Sequence, residues 1–560
     1  MTRPPAPAAA AAGAEALSRW ERYDRRVLAG LVRLPACRPR HLAALLGMAE
    51  AAAQEALLRL RQRGWARDVQ VSTARDVAQV WAPSPAVWAS YAQAGADLAP
   101  LVASEHHLHD LLWDSEGTLA AAELVSRLAQ GARERGLGVT EALRLRPSAP
   151  GAVFAGAQGM VLLVEEEWCT PLFVLVDRQE ASFDRRRLLV RGWARLLAER
   201  PYMAGAMMLV VTPTREEMDQ WDFLATVSRE RKGIPPLPLY LATAGAIAAP
   251  WQVEWERAEG KGSTYLFPSL HRLGQVPLDL PLPFRGARAP VLPAWEGMRG
   301  KSGIRLKQPS PAGRQALVAL LRHPACTAGE AAAFAGLGEE EAAKVLEGLA
   351  GKGLVREAEG RWTATEEGDR LGRRLLGRAA ASQSAFPRPS LLPHHLEARS
   401  FLARLAREVR AAGGRVVVLR EAPVTRREWH EGGRLVRLVP DASLTFVLGG
   451  RAVHALLEWD RGQMKGPRWR QKLIGYYGYY RHLLRHGRPL YLPLLLAVAP
   501  DPAREDAIAH AAREVLPPGL LPLVWTSNRL MIESRGVLGA AWRQAGGSTR
   551  EEFWRPRPVR

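Results

Sequence analysis

Four charged residues in the C-terminal part of the chain have the types and spacing of a metal-dependent nuclease site. Asp441 follows a proline, Glu458 and Asp460 lie two residues apart, and Lys472 follows in the next helical segment. Carboxylate oxygens are the ligands that Mg²⁺ or Mn²⁺ prefers, and such an ion can activate water and polarise a phosphodiester. We therefore predict that all four residues are catalytic. Asp441, Glu458 and Asp460 would hold Mg²⁺ or Mn²⁺, and Lys472 would neutralise charge on the phosphate.

Helical and strand-like segments around these residues predict the scaffold of the site. Because side chains alternate along a strand, Glu458 and Asp460 should point to the same face. A hairpin at Gly449-Gly450 should bring Asp441 beside them. The order α, β, β, β, α, β of the segments matches the core of the restriction-endonuclease-like fold. In chain order the segments are 394–414, 415–421, 435–448, 452–460, 467–485 and 489–499.

The chain also repeats itself at an offset of 289 residues. Residues 31–47 (LVRLPACRPRHLAALLG) match residues 320–336 (LLRHPACTAGEAAAFAG), and each copy contains the tripeptide Pro-Ala-Cys. Each copy predicts three helices followed by extended segments, which is the outline of a winged helix-turn-helix. Modules of this kind commonly read DNA by placing the third helix in the major groove.

A second alignment, at an offset of 283 residues, compares the segments that follow the two winged helices. It pairs Asp177 with Asp460 and Arg178 with Arg461. At the other three positions, Gln158 stands opposite Asp441, Leu175 opposite Glu458 and Leu189 opposite Lys472. The first copy keeps the apolar pattern without most of the charged set, so we expect it to be a degenerate structural partner.

The predicted fold class is mixed α/β (α+β), with two tandem modules. Each module is a winged helix-turn-helix followed by a restriction-endonuclease-like αβββαβ domain. The predicted boundaries are a disordered tail at 1–15, the first winged helix at 16–98, the degenerate domain at 99–250, a Pro/Gly-rich linker at 251–312, the second winged helix at 313–385, the second nuclease-like domain at 386–535 and a basic tail at 536–560.

The charge balance predicts DNA as the main partner. The net charge is +20, from 77 Lys and Arg against 57 Asp and Glu. The third helix of the second winged helix carries four glutamates between 339 and 347, which have the wrong sign for phosphate contact. The first winged helix is therefore the better DNA reader. Predicted DNA-binding residues are Arg38, Arg40, Arg59, Arg61, Arg63, Arg67 and Arg75 in the first module, and Arg461, Lys465, Arg468 and Tyr476 in the second.

Several other classes of protein are disfavoured by the sequence. No apolar run reaches the length of a membrane span, and the first residues lack the apolar core of a secretion signal, so we expect a cytoplasmic protein without a membrane partner. The cysteines Cys37, Cys169 and Cys326 are too far apart for a paired zinc motif and should be buried structural thiols. The histidine pairs His106-His107 and His394-His395 lie at helix starts, where metal ligation is an alternative but capping or packing is expected, since no Cys or His partner has ligand spacing.

The C-terminal module resembles the replication-relaxation family. The resemblance rests on Pro440-Asp441, on the run 458–462 (EWDRG), on a lysine in the next helix and on the YYGYY cluster. It covers 313–535 and, more faintly, 20–250. It implies a DNA-acting protein of a plasmid or integrative element in replication, relaxation or transfer, with DNA and replication or conjugation proteins as partners. The chain departs from the nuclease signature because Asp460 stands where a lysine is usual.

Two classes of function remain open from the sequence. In the first, the C-terminal domain is a Mg²⁺-dependent or Mn²⁺-dependent DNA endonuclease. In the second, the protein is a non-catalytic DNA-binding adaptor or transcriptional regulator with pseudo-nuclease domains and no cofactor. An enzyme should lose cleavage but keep DNA binding when Asp441 is replaced, whereas a binding module should be indifferent to that change. The oligomeric state is not predicted.

Overall fold

A computed structural model describes most of the chain. The described residues are 22–146, 156–165, 168–178, 183–201, 205–232, 236–258, 263–266, 304–305, 308–376, 392–422, 424–431, 434–464, 466–485 and 492–555. The chain forms two compact units, unit 1 made mainly of residues up to Pro311 and unit 2 made mainly of residues from Ala312 onward. The mixed α/β class expected from the sequence is confirmed.

Unit 1 begins with three helices and a hairpin. Helical residues 22–33 form α1, and α2 (Pro39–Leu46), α3 (Glu50–Gln62), β1 (Ala66–Ser72) and β2 (Val77–Pro83) follow. The turn before α2 is fixed by Ala36, which has a positive φ of 59°, and by Cys37, which forms a β-bridge with Trp81 of β2. The order of helices and hairpin expected for a winged helix is therefore present.

A seven-stranded sheet follows in unit 1. Its strand order is β3-β4-β5-β6-β7-β8-β9, with β5, β6 and β7 parallel and all other neighbours antiparallel. The elements are α4 (Pro85–Gln93), α5 (Glu105–Trp113), α6 (Ser115–Glu134), β3 (Gly138–Arg144), β4 (Gly159–Glu165), β5 (Trp168–Val176), α7 (Phe183–Glu199), β6 (Met207–Thr212), α8 (Arg215–Lys232), β7 (Leu239–Thr243), β8 (Trp255–Arg257), β9 (Ser263–Thr264) and β10 (Ile304–Arg305), which pairs with β1.

Unit 2 opens with the same local geometry. The elements are α9 (Pro311–Arg322), α10 (Ala328–Ala335), α11 (Glu339–Ala350), β11 (Val355–Ala358) and β12 (Arg361–Ala364). Ala325 has a positive φ of 61°, and Cys326 bridges Trp362 of β12. The two Pro-Ala-Cys turns therefore have the same conformation, and each cysteine pairs with a tryptophan of its hairpin. Both thiols are buried, as is that of Cys169, and burial raises the pKa of each.

The sheet of unit 2 has the same neighbour order and strand directions as that of unit 1. Its order is β13-β16-β17-β18-β19-β20-β21, with β17, β18 and β19 parallel. The elements are α12 (Glu366–Leu375), α13 (Leu392–Ala411), β13 (Arg415–Glu421), β14 (Arg427–Glu431), β15 (Arg434–Leu438), β16 (Ala442–Leu448), β17 (Arg451–Trp459), α14 (Gly466–Arg485), β18 (Leu494–Ala499), α15 (Pro502–Val515), β19 (Val524–Asn528), α16 (Arg529–Arg535), β20 (Trp542–Gln544) and β21 (Arg550–Glu551).

The expected hairpin between β16 and β17 is present. Gly449 and Gly450 have positive φ values of 56° and 77°, which suit the tight turn, and the strands pair from Leu448–Arg451 to Ala442–Leu457. The run 435–448, however, is two strands and not one. Its first part is β15, which pairs with β14 as a separate two-stranded hairpin and packs on α14, where Trp429 lies against Gly478 and Tyr479.

Two segments expected to lie outside the domains are partly built into the sheets. In the expected linker, β8 and β9 extend the first sheet, and Trp255 of β8 is fully buried. In the expected basic tail, β20 and β21 extend the second sheet, and Trp542 is fully buried against Phe401 and Phe553. Burial of a large aromatic side chain favours order in each of these short strands.

Candidate active site at one edge of the second sheet

Asp441 lies immediately before β16, where its backbone N–H donates to Leu457 O at 3.0 Å. Its Oδ2 accepts a hydrogen bond from the backbone N–H of Trp459 at 2.8 Å, and its Oδ1 lies 3.0 Å from His394 Nε2 of α13. Burial raises the pKa of Asp441, but the hydrogen bond from His394 and the charge of Lys472 outweigh burial and leave that pKa below its ordinary value. The carboxylate is therefore held in its charged form.

Glu458, on β17, is fully buried and bound by two residues of α14. The Lys472 ammonium forms an ion pair with Oε2, and the Tyr476 hydroxyl donates to Oε1 at 2.5 Å. Burial pushes the pKa of Glu458 upward, and the charge of Lys472 opposes that rise. Burial also lowers the pKa of Lys472, but the charges of Glu458 and Asp441 outweigh this and raise it. Lys472 therefore stays cationic between the two carboxyl groups.

Asp460 shares a face with Glu458, as the alternation of the strand requires, but it has a different set of partners. Arg504 Nε and Trp469 Nε1 lie 2.6 Å and 3.1 Å from its Oδ2, and the Gly462 N–H donates to its Oδ1 at 2.8 Å. Oδ2 thus holds α14 and α15 against the strand end, and Oδ1 fixes the loop that follows the strand.

The matching residue of unit 1, Asp177, is held in the same manner. Arg186 Nε and Trp221 Nε1 lie 2.6 Å and 2.7 Å from its Oδ2. Each unit therefore has a buried aspartate, after the third strand of the meander, that binds one arginine and one tryptophan. Because the arrangement occurs in both units, the Asp460 carboxylate is accounted for by packing of the fold.

The other site positions of unit 1 are uncharged but keep their backbone geometry. Gln158 N donates to Val174 O at 2.7 Å, and Gln158 Oε1 accepts from the Val176 N–H at 2.9 Å. Asp441 makes the same two contacts with the backbone in unit 2. Leu175 takes the position of Glu458 and is buried among apolar side chains, with Leu189 packed beside the same cluster.

The donor set suits a small hard cation through two carboxylates only. Within the described ranges, no group of three or more His, Cys, Asp and Glu side chains is arranged to hold a metal ion. Mg²⁺, however, usually binds one or two carboxylates and fills its remaining positions with water and substrate phosphate. Asp441 and Glu458 supply two carboxylates of that kind, but an ion would have to replace Lys472 and Tyr476 on the Glu458 oxygens. The oxygens of Asp460 are engaged by Arg504, Trp469 and Gly462.

Residues 317–489 match the family model described as replication-relaxation. Over these residues the chain is similar to the replication-relaxation family. The matched region runs from within α9 to the residues after α14 and includes Asp441, Glu458 and Lys472. The family resemblance predicted from the sequence is confirmed for this region, and the family's name associates it with replication and relaxation. No curated protein and no solved structure matches the chain. The described helices also include none with the length and apolar character needed to cross a bilayer.

Outside the replication-relaxation region, most of the arginines predicted to bind DNA form ion pairs within unit 1. Arg75 is the exception, exposed in the turn between β1 and β2. These pairs neutralise part of the positive field of the first winged helix, so its DNA binding stays a prediction. The pairs are Arg38–Asp76 at 4.0 Å, Arg40–Glu123 at 3.0 Å, Arg59–Asp24 at 2.8 Å, Arg61–Asp68 at 3.2 Å, Arg63–Asp24 at 3.4 Å and Arg67–Glu105 at 2.6 Å.

The predicted DNA-binding residues within the replication-relaxation region have varied environments. Arg468 is exposed in the first turn of α14, and Arg461 is partly exposed and paired with Glu397 at 3.2 Å. Lys465 lies outside the described residues. Tyr476 is fully buried, so its hydroxyl serves Glu458 and its ring is part of the core.

His394 is the site neighbour that sequence reasoning undervalued. The pair His394-His395 was expected to cap or pack, yet His394 contacts Asp441 directly. The available signal was a histidine pair at the start of the helix that precedes the meander. Arg504 and Arg529, which also contact this sheet edge, had no local signal because their partners are far away in sequence.

Proposed function

We propose that the protein binds DNA of a plasmid or integrative element and cleaves a phosphodiester there during replication, relaxation or transfer. The observation that carries the proposal is the joining of Lys472 to Glu458, with Asp441 beside them, at one edge of a mixed αβββαβ sheet. The replication-relaxation match covers all three residues, and unit 1 lacks them. DNA would be the main partner, with replication or conjugation proteins as further partners.

The chemistry of the site would be divided between carboxylates and a cation. Asp441 and Glu458 would hold Mg²⁺ or Mn²⁺, and the bound ion would supply Lewis acidity toward the phosphodiester and its attacking water. The Lys472 ammonium stabilises negative charge that develops on the phosphate oxygens. Tyr476 and His394 keep Glu458 and Asp441 in fixed orientations, which limits reorganisation during the reaction.

A non-catalytic DNA-binding adaptor is the second candidate. It is favoured by the complete burial of Glu458 and by the engagement of both its oxygens by Lys472 and Tyr476. In that case the contacts of Lys472 and Tyr476 with Glu458 only hold α14 on the sheet, and unit 2 binds DNA or recruits other proteins without cleaving DNA.

Plasmid nicking distinguishes the two candidates. Supercoiled plasmid is incubated with the protein and Mg²⁺ or Mn²⁺, and open-circular product is measured for wild type, Asp441→Ala and Lys472→Ala. The matched control is Gln158→Ala, which changes the corresponding position of unit 1. An enzyme loses at least about 100-fold in rate on either unit 2 change, keeps DNA binding in a mobility-shift assay and is unaffected by the control. Equal rates for all four proteins, or no divalent-dependent nicking by wild type, would establish the adaptor.

A further inference from the structure

We infer that Arg461 and Arg529 form a phosphate-binding pair for the DNA backbone, oriented by Glu397 and located beside Asp441. The inference rests on the proposed DNA-binding function and deepens it by naming the residues that position the strand. It does not require that the protein cleave DNA.

The topology of unit 2 brings the two arginines to one sheet edge. Strands β17, β18 and β19 are parallel, with Trp459 paired to Val498 and Ala499 paired to Asn528 at their carboxyl ends. Arg461 follows β17 by two residues, and Arg529 follows β19 directly. The second turn of α13 supplies Glu397 at the same edge.

Glu397 holds both guanidinium groups at once. Its Oε1 lies 3.2 Å from Arg461 Nε, and its Oε2 lies 2.7 Å from Arg529 Nη2. Trp459 Nε1 donates to the same Oε2 at 2.8 Å, which fixes the carboxylate, and the Arg529 guanidinium lies over the Trp459 ring at 5.3 Å. The two arginines are therefore oriented before any ligand arrives, which reduces the entropy lost on binding.

Arginine outnumbers carboxylate in the immediate surroundings of Glu397. Two guanidinium groups face one carboxylate, and Arg529 Nε is a buried donor without a hydrogen-bond partner among the described residues. The side chains of Arg461 and Arg529 are 29% and 32% exposed, so a ligand can reach them. An anion with several oxygens could bind the exposed parts of the two guanidinium groups and balance the second positive charge.

Unit 1 has the opposite balance at the corresponding place. Arg178, which aligns with Arg461, forms ion pairs with both Asp114 and Glu116. One guanidinium there faces two carboxylates, which disfavours phosphate. The excess of arginine over carboxylate at this position is thus a property of unit 2, where the charged set of Asp441, Glu458 and Lys472 also occurs.

DNA phosphate is the ligand that this geometry fits best. The planar fork of arginine can donate two hydrogen bonds to one phosphate group. Trp459 contacts both the arginine pair and Asp441, because its backbone N–H donates to Asp441 and its ring stacks against the Arg529 guanidinium. A strand held by the two arginines would therefore pass next to the Asp441 carboxylate.

Salt-dependent DNA binding in EDTA tests the pair without any contribution from cleavage. The dissociation constant of a short fluorescein-labelled duplex is measured by anisotropy over a series of NaCl concentrations for wild type, Arg461→Gln, Arg529→Gln and the double variant. Glutamine keeps a hydrogen-bond donor for Glu397 but carries no charge. Each change should weaken binding and reduce the slope of log K against log salt by about 0.9, because one phosphate contact is lost.

The controls separate a phosphate contact from a folding defect. Arg404→Gln removes an arginine of α13 that is 33% exposed and paired with Glu408, and it should leave the slope unchanged. Arg461→Lys and Arg529→Lys keep the charge, so they should keep the wild-type slope while lowering affinity. A double glutamine variant with wild-type affinity and slope would overturn the pair while leaving DNA binding intact. A wild-type protein that does not bind the duplex would overturn both the pair and the proposed DNA-binding function.

Discussion

Gln158 and Asp441 make the same pair of contacts in the two units. Each donates its backbone N–H to the carbonyl of the facing strand, and each accepts a backbone N–H through its side chain, at 2.9 Å from Val176 N and 2.8 Å from Trp459 N. The backbone at the sheet edge therefore does not require a carboxylate. What distinguishes unit 2 is the added charge of Asp441, Glu458 and Lys472, and this contrast guides the first prediction.

Replacing Lys472 alone should destabilise unit 2. Replacing both Glu458 and Lys472 with leucine, the residue at the matching positions of unit 1, should cost much less. Lys472→Leu leaves the Glu458 carboxyl buried without its cation and should lower the free energy of unfolding by about 3 kcal/mol. Glu458→Leu/Lys472→Leu restores an apolar contact and should recover most of that loss. Urea denaturation followed by tryptophan fluorescence measures both changes.

The control for this comparison is Lys344→Leu, which breaks an exposed ion pair with Glu340 and should change the free energy of unfolding by less than about 1 kcal/mol. Equal losses in the single and double variants would contradict the prediction, because the cost would then come from the size of the side chains and not from a stranded carboxyl group.

Replacing His394 should weaken divalent-dependent activity, because His394 orients the Asp441 carboxylate. Removing a residue that orients a metal ligand typically costs about 10-fold to 100-fold in metal affinity or activity. We expect His394→Ala to raise the Mg²⁺ or Mn²⁺ concentration needed for half-maximal nicking, and His394→Gln to recover part of the loss. His106→Ala removes a histidine that is 74% exposed in unit 1 and serves as the control. An unchanged metal requirement in His394→Ala would leave this histidine without a role in the site.

Unit 2 should lose stability on acidification, because a buried hydrogen-bond network around Glu421, at the carboxyl end of β13, depends on a charged carboxylate. Glu421 accepts from His323 Nδ1 at 2.6 Å and from Arg399 Nη2 at 2.7 Å. Burial raises the pKa of Glu421, but His323 and Arg399 outweigh it and lower the pKa to about 2, against 4.5 for the free side chain. Its stabilising contribution is therefore complete above pH 4.5 and disappears as the pH falls toward 2. Burial lowers the pKa of His323 below 6.5, which adds a loss that begins as the pH falls below that value.

The measurement is the free energy of unfolding of wild type and Glu421→Gln across this pH range. The difference between the two proteins should be largest above pH 4.5 and should shrink as the pH falls toward 2. Glu340→Gln, which changes an exposed carboxyl group, should follow the wild-type profile. A difference between wild type and Glu421→Gln that does not change with pH would show that the carboxylate charge is not what stabilises the network.

Ala325 should be improved by glycine. Its φ of 61° lies in the left-handed region, where a Cβ atom costs about 1–2 kcal/mol. Ala325→Gly should raise the free energy of unfolding by up to about 1 kcal/mol, because the greater flexibility of unfolded glycine offsets part of the gain. Ala332→Gly, inside α10, should lower it by about 1 kcal/mol or more. A loss of stability in Ala325→Gly would mean that the packing of the Ala325 methyl group contributes more free energy than the strain of the left-handed backbone costs.

Local pattern predicted much of the sheet and of the site, but not the partners that come from distant parts of the chain. Alternation and Gly449-Gly450 predicted β16, β17 and the approach of Asp441 to Glu458. The assignment of Asp460 to the metal set followed from its spacing alone. Its partner Arg504 lies 44 residues away, and no local pattern indicates that contact. The strands β14, β20 and β21 were missed, and β15 was merged with β16, for a related reason, since short strands depend on tertiary burial of residues such as Trp429 and Trp542.

The contact of Arg399 with Glu421 and with the carbonyl of Pro324 has a practical consequence for dissecting the protein. The sequence suggests a cut between a winged helix ending at 385 and a sheet beginning at 386. Such a fragment would lack His323, which contacts the Glu421 carboxylate, and Pro324, whose carbonyl accepts from Arg399. Expression boundaries for this half of the chain therefore belong ahead of α9, so that the two parts are produced, purified and melted as one cooperative piece.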